Sequence, residues 1–234
     1  MKRILALILF LLLCAFALSA SAQTAVDVIL SSGTTQAFKA DAVPEEDLLT
    51  ILQAGLSTTS AINQQPWHFA VITNQDVMKE IGSAGMGGAP AGMPAGGPPA
   101  GAPAGAPAGA PAGGPPAGMP AASGAKAGLG DSPVAIVVYM NEGTPSPDEH
   151  FDCGLATQNM VIAANALGYG TKIVSAPTMA LNGEKHDEIC EKLGVDKAYN
   201  AVAVLLLGCT DTDADGATGA SVRSALEEKV SFVK

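Results

Sequence analysis

The sequence predicts an α+β sandwich, with a central, mostly antiparallel sheet and helices on its faces. Two observations carry this. Residues 134–139 and 201–207 are continuous apolar runs, the first rich in β-branched side chains, as in strands buried on both faces. Around them lie segments with apolar residues at helical spacing. The strands are too few for a full doubly wound sheet.

Taken in order, residues 27–30 open a first helix. Pro44-Glu45-Glu46-Asp47 has a proline early and acids in the first turn, as at a helix start. Leu48, Leu49, Ile51 and Leu52 continue that helix. Residues 68–73 read as a strand and 75–81 as another helix. After the strand at 134–139, residues 152–167 form a long helix on which Leu155, Met160, Ile162 and Ala163 face the core, and Gly168 and Gly170 end it. Ile173-Val174 begins the next element, 184–193 is helical, and 201–207 is the last central strand.

Composition sets two segments apart from these elements. Lys2 and Arg3 precede an apolar stretch at 4–18, followed by Ala20-Ser21-Ala22. That order predicts a signal peptide over 1–22, cleaved near Ala22, and hence an exported protein, secreted, periplasmic or at the cell surface. The stretch is short for a spanning helix, which needs about 20 residues. Cys14 follows a bulky Leu13 inside the apolar run, which argues against a lipoprotein anchor. The remaining 23–234 is one domain, interrupted by a Gly/Ala/Pro-rich insert at 85–130. Glycine recurs there every fourth residue, whereas collagen requires every third. With little surface to bury, the insert is expected to stay disordered or partly polyproline.

The 234-residue chain has a net charge of -10. Such a charge repels phosphate backbones and anionic lipid, so nucleic acid and membrane surfaces are poor candidates as partners. Cys153, Cys190 and Cys209 are odd in number and widely spaced, so no disulfide framework or metal site is read, and all three are expected to be small buried residues. Asp211, Asp213 and Asp215 resemble the start of a calcium loop, but no glutamate follows at EF-hand spacing. They read as a solvated acidic turn. His68 reads as structural, and His150 and His186 as surface residues.

The chemistry concentrates at residues 59–69, Thr-Ser-Ala-Ile-Asn-Gln-Gln-Pro-Trp-His-Phe, which join a helix end to a strand. Ser60, Asn63 and Gln65 bring donors and acceptors together, Pro66 stiffens the turn and Trp67 offers a flat apolar wall. Such a loop suits a planar heterocycle with a polar edge. It equally describes a polar loop capped by a buried tryptophan.

The string Ser60-x-x-Asn63-x-Gln65-Pro66-Trp67-x-Phe69 resembles the flavin-binding signature of the nitroreductase family. Ala37-Phe38, Val43-Pro44-Glu45-Glu46, the 131–138 strand, Asp152 through Gly170 with Gln158-Asn159, and 204–208 resemble that family's other pieces in order. The resemblance implies a three-layer sandwich and a homodimer with FMN at the subunit interface. It also implies two-electron transfer to small-molecule acceptors such as nitro compounds or quinones. By position, Thr59, Ser60, Ala61, Asn63 and Gln65 would meet the flavin, and Arg223 its phosphate.

The departures matter. Ser32 and Gln36 stand where the family usually has basic residues, Thr34 lies between them, and Ser221 replaces another basic position. Neutral donors bind phosphate roughly half as strongly as charged ones. Weak FMN binding, or acceptance of a flavin lacking the phosphate, is therefore expected. Two functions compete: an exported oxidoreductase whose electron donor the sequence does not identify, and a non-catalytic binding or surface-associated module of the same fold.

Overall fold

The computed structural model describes residues 25–86, 129, 132–145, 147–214, 218–219 and 223–233. The expected signal peptide, nearly all of the insert, Asp131, Asp215 and Ser221 lie outside them. Among the described residues, no helix is long and apolar enough to cross a membrane.

The elements are α1 (Ala25–Ser31), β1 (Thr34–Thr35), α2 (Glu45–Leu56), β2 (Trp67–Ile72), α3 (Gln75–Met86), β3 (Val134–Asn141), α4 (Glu149–Ala166), β4 (Gly170–Val174), α5 (Thr178–Leu181), α6 (His186–Leu193), β5 (Tyr199–Gly208), β6 (Thr218–Gly219) and α7 (Leu226–Lys229). The main sheet has the order β2-β3-β5-β4, and every neighbouring pair is antiparallel. The predicted α+β class with a mostly antiparallel sheet is the fold observed.

β3 shows why the sandwich has three layers. Seven of its eight residues are buried, and successive side chains point to opposite faces. Val134, Ile136, Val138 and Met140 join the core under α2 and α4 with Ile51, Trp67 and Met160. Ala135, Val137 and Tyr139 join the other core, with Met78, Ile81, Leu181 and Ile189 from α3, α5 and α6. A bulge between Val138 and Tyr139 shifts the β3–β5 register.

Several expectations are corrected. Leu155 is exposed rather than core-facing, because α4 turns Cys153, Ala156 and Met160 to the sheet. The helix expected at 184–193 is α6, which begins two residues later, and a short helix that the sequence did not predict, α5, precedes it across a turn at Asn182 and Gly183. Cys153 and Cys190 are buried as expected, but Cys209 is only partly so. His186 is not a plain surface residue: its ring nitrogens lie 2.9 Å from Leu181 O and 3.0 Å from Lys197 O, tying α5 to the turn before β5. Leu129 is fully buried in the α3 layer, and α3 continues to Met86, so ordered structure enters both margins of the 85–130 segment.

β1 and β6 form a separate two-stranded ladder, pairing Thr34 with Gly219 and Thr35 with Thr218. The opening segment and the stretch leading to Arg223 are thereby brought side by side. Gly170 lies beneath them: a Cβ there would overlap the Thr35 and Thr210 hydroxyls.

Candidate functional site

α2 ends at Leu56, and the chain must then cross from the helix layer into the sheet. Ser57 N–H donates to Gln53 O at 2.9 Å and Thr58 N–H to Gly55 O at 3.2 Å, which closes the helix. At the far side, Asn141 N–H donates to Pro66 O at 2.8 Å, which seats the start of β2 against β3. The intervening loop is strained. Ile62, Asn63 and Gln65 have φ of 47°, 58° and 47°. Most non-glycine residues avoid this left-handed region, at a cost of roughly 1–2 kcal/mol; asparagine tolerates it, whereas a β-branched residue such as Ile62 is a clear outlier there. Such strain persists only where surrounding bonds over-determine it.

Those bonds are present. Gln65 N–H donates to Ser60 Oγ at 2.9 Å and closes the neck of the loop. Ala61 N–H donates to the Asp152 carboxylate, at 3.0 Å to Oδ2 and 3.3 Å to Oδ1. Gln64 Nε2 lies 3.5 Å from the same Oδ2. One helical turn-pair further along α4, Asn159 Nδ2 donates to Thr58 Oγ1 at 2.7 Å. Asp152 and Asn159 are seven residues apart, so both lie on one face of the helix.

Charge is arranged accordingly. Asp152 is buried in the first turn of α4, where the helix dipole favours an anion. Beside it, the Thr144 hydroxyl donates to Glu149 at 2.6 Å and holds that carboxyl below the usual range. Burial first, then the charges of Asp152 and Glu149, push the Cys153 thiol up to about 12.

The loop presents outward what the sequence singled out. Thr59, Asn63 and Gln65 are exposed, while Ser60 and Ala61 are half-buried. Gln65 Nε2 lies 3.3 Å from Asn63 Oδ1, which aligns the two side-chain amides. Asn63 Nδ2 and Gln65 Oε1 make no further hydrogen bond among the described residues, so the pair offers one donor and one acceptor edge to solvent. Trp67 does not form a wall of this site. It is 7% exposed and stacks on Phe69 in the core, ring centroids 6.4 Å apart. It is the footing of the loop, while the loop itself stays open. His68 packs edge-on against Tyr199 and takes no part.

The other candidates lie elsewhere. The Ser32 hydroxyl sits 2.7 Å from Val28 O and 2.9 Å from Asn165 Oδ1, two acceptors that draw its single proton inward. Thr34 is half-buried in β1, and Gln36 and Arg223 are exposed. Asn165 and Asp152 are thirteen residues apart on α4, about 20 Å at helical rise. Within one protomer the loop group and the Ser32 group thus sit at opposite ends of that helix. Among the described residues, no cluster suits a metal ion.

The nitroreductase family profile matches residues 33–209, from the turn before β1 to the end of β5. The chain belongs to the nitroreductase family. A Methanothermobacter thermautotrophicus protein named as an NADH dehydrogenase/NAD(P)H nitroreductase is 26% identical over 130 residues. That alignment covers 55% of this chain and 48% of the relative, so the chain matches about half of the relative's length. Among solved structures, a nitroreductase with bound FMN from Desulfitobacterium hafniense superposes with a TM-score of 0.66 at 22% identity, covering 90% of this chain and 98% of that one. A second with bound FMN, from Bacteroides fragilis, gives 0.66 at 16% identity, with the same coverage. These similarities establish the nitroreductase fold. Sequence reasoning named the loop but not its anchors: Asp152 and Asn159 were seen as helix residues. The available signal was an acid and an amide at heptad spacing on a helix whose same face carries small apolar side chains.

Proposed function

We propose that this nitroreductase-family protein is an exported FMN-dependent oxidoreductase that reduces small acceptors such as nitro compounds or quinones by two electrons. The observation that carries this reading is the open, strained loop at 59–65, held from beneath and offering the Asn63–Gln65 amide pair outward. The donor set fits the polar rim of an isoalloxazine, which carries both ring N–H and carbonyl groups. Thr59, Ser60, Ala61, Asn63 and Gln65 would hold the ring, and Arg223 with Thr34 and Gln36 the phosphate. When bound, the flavin supplies the two-electron chemistry, and the protein supplies orientation and electrostatics.

The placement of the two groups at opposite ends of α4, about 20 Å of helix apart, supports a homodimer. A ribityl chain is too short to join groups at opposite ends of α4, so the loop of one protomer would complete the site with the opening segment of another. Apolar side chains point the same way. Leu30 of α1 is 81% exposed, Phe232 is 78% and Val233 is 99%, and a partner protomer would cover such side chains. An apolar cleft between α1, α2 and α4, lined by Val28, Ala54, Ile162 and Ala163, is available to receive them.

The basic start, apolar run and small-residue site at 1–22 support the export part of this proposal. Nicotinamide donors are scarce outside the cell, which favours a membrane or extracellular redox partner as electron source. The non-catalytic reading is favoured by one observation, the inward-turned Ser32 hydroxyl in a segment without basic residues. Purified mature protein mixed with FMN separates the two. A retained flavin absorbance band, whose reduced form is reoxidised by a quinone or nitroarene without oxygen, supports the oxidoreductase. Absence of any flavin retention by folded protein overturns it.

A further inference from the structure

We infer that Asp152 is a positioning residue for the cofactor loop: its buried carboxylate holds residues 60–65 in the strained form that receives the flavin ring. This rests on the flavin-binding reading above. The carboxylate is 2% exposed and makes no ion pair among the described residues. Among the described residues its two oxygens accept from Ala61 N–H and the Gln64 side-chain amide. A buried anion is retained only when such partners compensate its desolvation. Here the compensation lies in the loop, and the loop in turn needs the anion. Ile62 and Asn63, both at positive φ, lie between the two groups that Asp152 grips. Released from it, the chain has a local free-energy gain in returning to ordinary backbone angles, which would turn the Asn63 amide away from its present direction. Asp152 touches no ring atom itself; it acts through the loop.

A carboxylate is specifically suited. An asparagine is nearly the same shape, but it carries one acceptor and sets its own N–H groups against Ala61 N–H or the Gln64 amide. The test is Asp152→Asn in the full mature protein. FMN affinity is measured by flavin fluorescence, the apoprotein midpoint by thermal melting, and the Ala61 amide by hydrogen exchange. The expected result is at least a tenfold rise in the FMN dissociation constant, a shifted flavin absorbance maximum in what does bind, and loss of Ala61 protection. Amides of β3 keep their protection. Unchanged affinity, or loss of protection throughout the sheet in step with lost binding, would overturn the positioning role. If Asp152→Asn does not fold, Gln64→Glu decides, since it sets a second carboxylate against the first from the loop side. At least a threefold loss of FMN affinity with an intact sheet supports the proposal, and no loss refutes it. Should wild-type protein bind no flavin, the oxidoreductase reading fails. Ala61 exchange in Asp152→Asn still tests the anchoring on its own.

Discussion

At its N-terminal end, α4 uses Asp152 to hold a loop whose amides face outward; thirteen residues on, Asn165 draws the Ser32 hydroxyl inward, in a segment that carries no basic residue. The first arrangement stores strain so that polar edges stand ready before a ligand arrives. The second satisfies its own polar groups and leaves little for a phosphate. Arg223 is one of two arginines in the chain, the other being Arg3, and it is exposed. On the proposed reading, the polar groups that would meet a ring edge are held ready, whereas charged donors for a phosphate are few.

The comparison can be broken most severely at the phosphate end through its packing. Gly170→Ala forces a methyl into the Thr35 and Thr210 hydroxyls. It should cost about 3 kcal/mol and lower the melting midpoint by roughly 10 °C, while the loop amides at 60–65 keep their exchange rates. The next effect separates ring from phosphate. Arg223→Ala should weaken FMN roughly tenfold, as expected for one exposed charge-assisted contact, and leave riboflavin affinity unchanged. Equal weakening of both would mean that Arg223 acts on the fold and not on the phosphate.

A smaller change is expected from Ser32→Ala. Because its hydroxyl is bonded to Val28 O and Asn165, removal should cost about 1 kcal/mol of stability, measured by urea unfolding, with no change in the ratio of FMN to riboflavin affinity. A fall in that ratio would return Ser32 to the phosphate site. The smallest effect concerns pH. Tyr169 donates to Asp47 Oδ2 at 2.5 Å, and this bond, then burial, pushes its hydroxyl up to about 12. The ordinary value is near 10, so the folded state favours the protonated form. That contribution is complete below pH 10 and is lost as pH rises toward 12. Wild type should therefore lose more stability than Tyr169→Phe between pH 10 and 12, and the two curves should run parallel below pH 9.

Much of the fold was legible because its strong signals are local. The buried runs at 134–139 and 201–207 and the acid-rich start at Glu45 lie within one or two residues of the observed elements. What escaped was non-local or too short to have a period. β1 and β6 have two residues each, and their pairing joins segments nearly the whole chain apart. α5 has four residues. Leu155 looked like core because α4 has apolar residues on most of its surface, so periodicity could not choose a face. At the candidate site, the amides of Asn63 and Gln65 were readable from one stretch. Asp152 was not, since its partner Ala61 lies 91 residues away. The role of Trp67 stayed open in the sequence because an aromatic after a polar loop serves equally as a ligand wall or as a core plug; stacking on Phe69 makes it the plug.

The central claim is that residues 59–65 grip the flavin ring. Backbone amide chemical shifts recorded while riboflavin is added to mature protein test it most directly, because this ligand has the ring but no phosphate. The account predicts that Thr59, Ser60, Ala61, Asn63 and Gln65 move first and furthest, while Asp211 and Asp213 in the acidic turn stay still. Shifts confined to the apolar cleft between α1, α2 and α4, with the loop unmoved, would contradict it.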